Sequence, residues 1–89
     1  MQTLLNGVTT TTTSAKKTIN GVHTIVCKGL KGYKQFIDFY ISVDNVHFVL
    51  FKKVILGDEV FSFNTGNCHI YCKFETELQD NNPIFVHMT

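Results

Sequence analysis

Three cysteines and four histidines are the side chains of this chain best suited to chemistry, and Cys68, His69 and Cys72 stand close enough together to suggest a metal. Zinc needs ligands converging at about 2.0–2.3 Å. On a regular strand Cys68 and Cys72 share a face but lie about 13 Å apart at roughly 3.3 Å per residue, and His69 points to the other face. Ile70-Tyr71 between them supplies no knuckle turn. Buried, inert cysteines are therefore expected. Cys27 would be a nucleophile only if a histidine approached it in space and lowered its pKa, and a packed thiol is the better reading.

His23, His47, His69 and His87 fall in different predicted strands, and nothing in their spacing makes them converge. Glu75 and Glu77 share one strand face, as a carboxylate pair would, but Lys73 nearby favours a solvated edge. Ser14, Ser42 and Ser62 lack the G-x-S-x-G elbow of a nucleophile. No Walker A loop, dinucleotide fingerprint, H-E-x-x-H or calcium loop is present. The expectation is a chain that is not an enzyme and holds no cofactor or metal.

Strand signals dominate the elements that would position these residues. Thr9 to Thr13 is an unbroken run of β-branched residues that favours an extended edge over a helix. Asn20-Gly21 reads as a turn leading into a strand over 22–27, with Gly29 and Gly32 bracketing the next turn. Further strands are predicted over 33–42, over 46–56 (one or two), over 60–63, over 68–78 and over 84–88. The turns between them fall at 43–45, 57–59, 64–67 and 79–83. Seven or eight short strands spaced in this way predict a small antiparallel β-sandwich or partly open barrel with little or no helix. Residues 1–14 read as an N-terminal arm or edge strand and 15–89 as a single domain.

Eighty-nine residues suffice for one domain but bury only roughly 60–65 % of the unfolded surface. Charged residues make up 17 %, below the roughly 25 % of an average soluble domain, and 44 % are hydrophobic. Phe36 to Ile41 and Val46 to Phe51 are apolar on both faces, where a half-buried strand should alternate. This sticky composition points to contact with other protein.

The net charge is +1 and all eight basic residues are lysine, so the arginine fork that reads guanine and grips phosphate is missing. Nucleic-acid binding is not expected. No apolar h-region or run approaching 18 apolar residues is present, so neither a signal peptide nor a membrane span is expected. The odd cysteine count argues against a disulfide framework and for folding in a reducing cytoplasm.

The segments Leu4-Leu5-Asn6-Gly7-Val8-Thr9, Gly21 to Gly29 and Ser42-Val43-Asp44-Asn45-Val46-His47-Phe48 resemble motifs of small structural proteins of tailed bacteriophages. Those proteins share an "LLN-V-T" start, a strand ending in glycine, and a "S-x-D-G-x-x-(F/W)" turn. The likeness covers residues 3–51, and departs from the pattern at Asn45, where glycine is usual, and at Phe48, where tryptophan is common. Asparagine tolerates positive φ, so the turn survives the first change. The resemblance implies a virion protein assembled in the host cytoplasm: a capsid decoration (cement) protein, or a tail or head–tail junction subunit. It also implies the major capsid protein and other virion proteins as partners, and a homo-oligomer. Leu4, Leu5, Val8, Phe36, Phe39, Phe48 and Phe51 are the expected interface residues, the four phenylalanines serving as core or interface anchors. A free module binding protein or carbohydrate is the alternative from another class.

Overall fold

The computed structural model describes residues 2–89 and contains seven strands and no helix. They are β1 (Gln2–Val8), β2 (Thr12–Thr13), β3 (Lys17–Lys28), β4 (Gln35–Ser42), β5 (Val49–Val54), β6 (Glu59–Thr76) and β7 (Ile84–Met88). The all-β, antiparallel expectation holds, and residues 84–88 form a strand as the sequence predicts. All strands belong to one sheet of order β1-β7-β3-β6-β4-β5, with β2 also on β6. The sheet is open, not closed into a barrel. Of the expected arrangements, the partly open one is found.

Two segments rich in turn residues do not reverse the chain. Asn20-Gly21 lies inside β3 and Asn64 to Asn67 inside β6, facing each other across one antiparallel ladder. Ile19 opposes Cys68 and Gly21 opposes Thr65, so two steps along β3 match three along β6. This is a β-bulge, and Gly21 adopts a φ of 98° that disfavours residues with a Cβ.

The extra residue flips the parity of β6. Phe61 and Phe63 pack on the core before the bulge; Cys68, Ile70, Cys72 and Phe74 point inward after it. One strand thus serves two halves of the sheet. Its first half lies beside β3, and its second half lies between β4 on one edge and β2 with the start of β3 on the other.

The sheet curls so that β5 meets the first half of β6, although the two share no backbone pairing. Phe51 of β5 lies 5.3 Å from Phe63 and 6.5 Å from Phe61, ring centre to ring centre, and Phe39 of β4 lies 5.3 Å from Phe61. Inside lie Ile25, Ile37, Phe39, Val54, Ile70, Phe74, Ile84 and Val86, all fully buried. Burial of each such side chain contributes roughly 1.5–3 kcal/mol before conformational entropy is subtracted.

Two loops close on the core by backbone contact. A Cβ on Gly57 would sit 2.3 Å from the Leu30 carbonyl oxygen, and one on Gly29 2.3 Å from that of Pro83. The Gly29 amide also donates to Asp58 Oδ1 at 3.1 Å.

Candidate functional site

The residues with chemical potential are held apart or inward. Cys27, Cys68 and Cys72 are free and buried. Burial pushes the Cys27 thiol up to about 12, helped by the neighbouring Cys72 and Glu59. Burial likewise pushes Cys72 up to about 12, against a hydrogen bond with Ser14. A thiol held there stays protonated at neutral pH, so it is a poor nucleophile. Cys68 and Cys72 face inward while His69, on the other face, pairs with the Thr18 hydroxyl at 3.2 Å. Among the described residues no group of three His, Cys, Asp or Glu side chains could hold a metal ion.

The four histidines serve separate local bonds. His23 lies 2.6 Å from the Thr89 carbonyl oxygen, and His87 lies 3.1 Å from the Thr3 hydroxyl. His47 contacts Asp44, and His69 contacts Thr18. Glu75 is paired with Lys73 at 2.9 Å, which raises the lysine pKa, and Glu77 lies past the end of β6.

The seven expected anchors mostly serve the fold. Leu4, Leu5 and Phe39 are buried in this chain's own core, and Val8 and Phe51 pack against it. Leu4, Leu5 and Val8 join the core because β1 pairs with β7 of the same chain and does not project as an arm. Phe39 and Phe51 join it because they pack on each other and on Phe61. Residue 1 of the expected 1–14 arm lies outside the described residues; the rest forms the edge strand β1, a link and β2. Phe36 and Phe48 are half-buried on the outer face, with the ammonium groups of Lys53 and Lys16 over their rings at 4.0 and 5.0 Å.

Other apolar residues are more exposed: Val22 on β3, Tyr33, Ile55 and Leu56 in loops, Val60 on β6, and a group at the turn between β4 and β5 and along β5. Val43, Val46 and Val49 are 85, 72 and 61 % exposed, and Leu50 is 49 % exposed. Val43 and Val49 also line a groove of about 210 Å³ with Ile41, Ser42, His47, Thr65 and Cys68.

Asp44 builds this surface. Its Oδ1 accepts hydrogen bonds from the Ser42 hydroxyl and from the amides of Val46 and His47, all at 2.8–2.9 Å. Its Oδ2 lies 2.8 Å from His47 Nδ1. Those bonds, the His47 side chain's first, hold the Asp44 carboxyl well below the usual carboxylate range. Asn45 takes the left-handed conformation at φ 61°. With the turn's polar groups gathered onto one carboxylate, Val43 and Val46 project outward. The sequence held this signal in the Ser42-x-Asp44 motif, whereas the strands apolar on both faces drew attention to side chains that mostly pack in this chain's own core.

A second outer-face feature is an aromatic row. Tyr40 and Tyr71 stack across β4 and β6 at 5.0 Å, and Phe48 meets Tyr71 edge-on at 5.0 Å. Thr13, Ser14, Lys16 and Lys73 join Phe48 and Tyr71 around a shallow depression.

No family model, curated protein or solved structure matches this chain. What fold and surface define is a small, open, all-β domain with an apolar turn ordered by Asp44.

Proposed function

We propose that this chain is a non-enzymatic structural protein of a tailed-phage particle, and within it a capsid decoration protein bridging neighbouring shell subunits. The observation that carries the reading is the Asp44-centred turn, which fixes Val43 and Val46 in water, with Val43 sharing a groove with Val49. A fixed apolar projection loses little entropy when covered by a partner. Apolar residues grouped this way on a small domain mark a contact with protein. The phage likeness supports the finer reading, because its Ser-x-Asp motif is the segment that builds the projection.

The test is mass spectrometry of particles from the source, with heads and tails separated before digestion. Recovery with heads, at a copy number near that of the shell protein, is the expected result. Recovery only with tails moves the assignment to a tail or junction subunit, and absence from both rejects the virion.

A second reading, a free carbohydrate-binding module, is favoured by the Tyr40–Tyr71–Phe48 row beside Lys16. Binding on a glycan array that is lost in Tyr71→Ala would support it.

A further inference from the structure

We infer that β1 is an exchangeable strand, able to dock on a second copy of this chain with the contacts it makes on its own. This goes beyond the proposed contact at the β4–β5 turn and uses the opposite end of the sheet. β1 is outermost, and β7 is its one neighbour in the strand order. It nevertheless supplies Leu4 and Leu5 to the core, 8 and 2 % exposed, so the cleft beside β7 requires an occupant. Register shifts between Thr3 and Leu5 and between Asn6 and Val8 interrupt its ladder. The strand is therefore held by inserted side chains more than by continuous backbone pairing.

The point where it could swing out is sharply bounded. Thr9–Thr11 have no regular structure, and a bend there is held by the Thr12 hydroxyl donating to the Thr10 carbonyl at 2.8 Å. Beyond the bend the chain is fixed: Thr12 and Thr13 pair with Phe74 and Lys73, and Ser14 exchanges two hydrogen bonds with the Cys72 backbone. From Val8 to Thr13 every residue is β-branched, a composition that favours extended backbone over a bend. Straightened, this link sends β1 away from its own β7. The cleft fits β1 by demonstration, so cis and trans docking differ only in the bend and in concentration.

The experiment uses Thr3 and His87, which oppose each other across β1 and β7 with side chains 3.1 Å apart. The double variant Thr3→Cys/His87→Cys is refolded at micromolar and at millimolar concentration, then oxidised. A disulfide between positions 3 and 87 of different chains is expected, mapped by mass spectrometry on mixed isotope-labelled and unlabelled protein. Its fraction should rise with concentration. Deleting Thr10 and Thr11, which shortens the hinge, should make the dimer dominant even at low concentration. Exclusively intrachain disulfides at every concentration, in both backgrounds, overturn the inference. Should the double variant fail to fold, native mass spectrometry of labelled and unlabelled parent chain, either co-refolded or mixed after folding, decides. Mixed dimers that form only on co-refolding support exchange, and monomers alone, or dimers that mix without refolding, reject it.

Discussion

Lys52 Nζ lies 3.2 Å from Glu59 Oε2, joining two strands that share no backbone hydrogen bond. The ion pair and the phenylalanines behind it span the gap between β5 and β6, and magnitudes decide which of them matters. Both charged groups are about a third exposed, so the pair is worth about 0.2–1 kcal/mol, less at high salt. Phe51→Ala should cost about 3 kcal/mol, the low end for this change, since the ring is only partly buried. Urea denaturation of Lys52→Ala and Phe51→Ala checks this ordering; equal losses would refute it.

The close approach of Gly57 to Leu30 predicts a contrast between two glycines. Gly57→Ala drives a Cβ into a carbonyl oxygen that belongs to backbone, which should cost roughly 1–3 kcal/mol. At Gly66 a Cβ meets nothing within 4 Å and φ is unrestrictive, so Gly66→Ala should be neutral or stabilise by about 0.4–1 kcal/mol. Thermal melts of the two variants give the answer. Comparable melting temperatures would mean the loops are looser than the structure implies.

The buried thiols give an alkaline prediction. Cys27 and Cys72 stay protonated up to about 12 when folded, whereas unfolded thiols ionise near ~8.5. Their contribution is therefore fully present below the unfolded value and is lost as pH rises from there towards the folded one. Stability measured by urea at neutral pH and at mildly alkaline pH should fall. Cys27→Ala/Cys72→Ala should fall less steeply. A thiol reagent should label none of the three cysteines until the chain unfolds, and fast labelling of the native protein would contradict their burial.

Asp44 predicts behaviour at the acid end. Its carboxyl is depressed, so its contribution is present above the unfolded value near ~3.9 and is lost as pH falls from there towards the folded one. Followed by NMR, the Val46 and His47 amides should begin to shift only below the ordinary carboxylate range. A midpoint near an unperturbed aspartate would show that the turn is not held as described. Asp44→Ala should release the turn without unfolding the sheet.

The apolar turn itself is open to direct test. Val43→Ser/Val46→Ser removes exposed methyl groups, so stability should stay within about 0.5 kcal/mol of the parent, as for ordinary surface changes. Binding to purified capsids should be lost. Capsid binding that survives the change would place the contact elsewhere.

The sequence disclosed strand content well and chain reversals less well, for a reason Gly21 makes plain. A turn and a bulge both call for positive φ, so Asn20-Gly21 satisfies either. Only the partner strand, more than forty positions away at Thr65 to Cys68, decides between them, and no local pattern encodes it. The same non-locality hid the surface. Leu4 and Leu5 look like spare hydrophobics until β7 arrives beside them, whereas Val43 and Val46 look like ordinary turn residues until Asp44 orders the loop.

The long strand β6 also governs how the chain acquires its shape. Partners for β2, β3 and β4 all lie on it, and it comes after them in the chain. Leaving the ribosome, the chain ahead of β6 can close only the β4–β5 hairpin, with its aromatic side chains otherwise unsheltered. Folding must then proceed through distant pairings, which places it among slow, millisecond-to-second folders. Its yield should therefore depend on how quickly β6 is made.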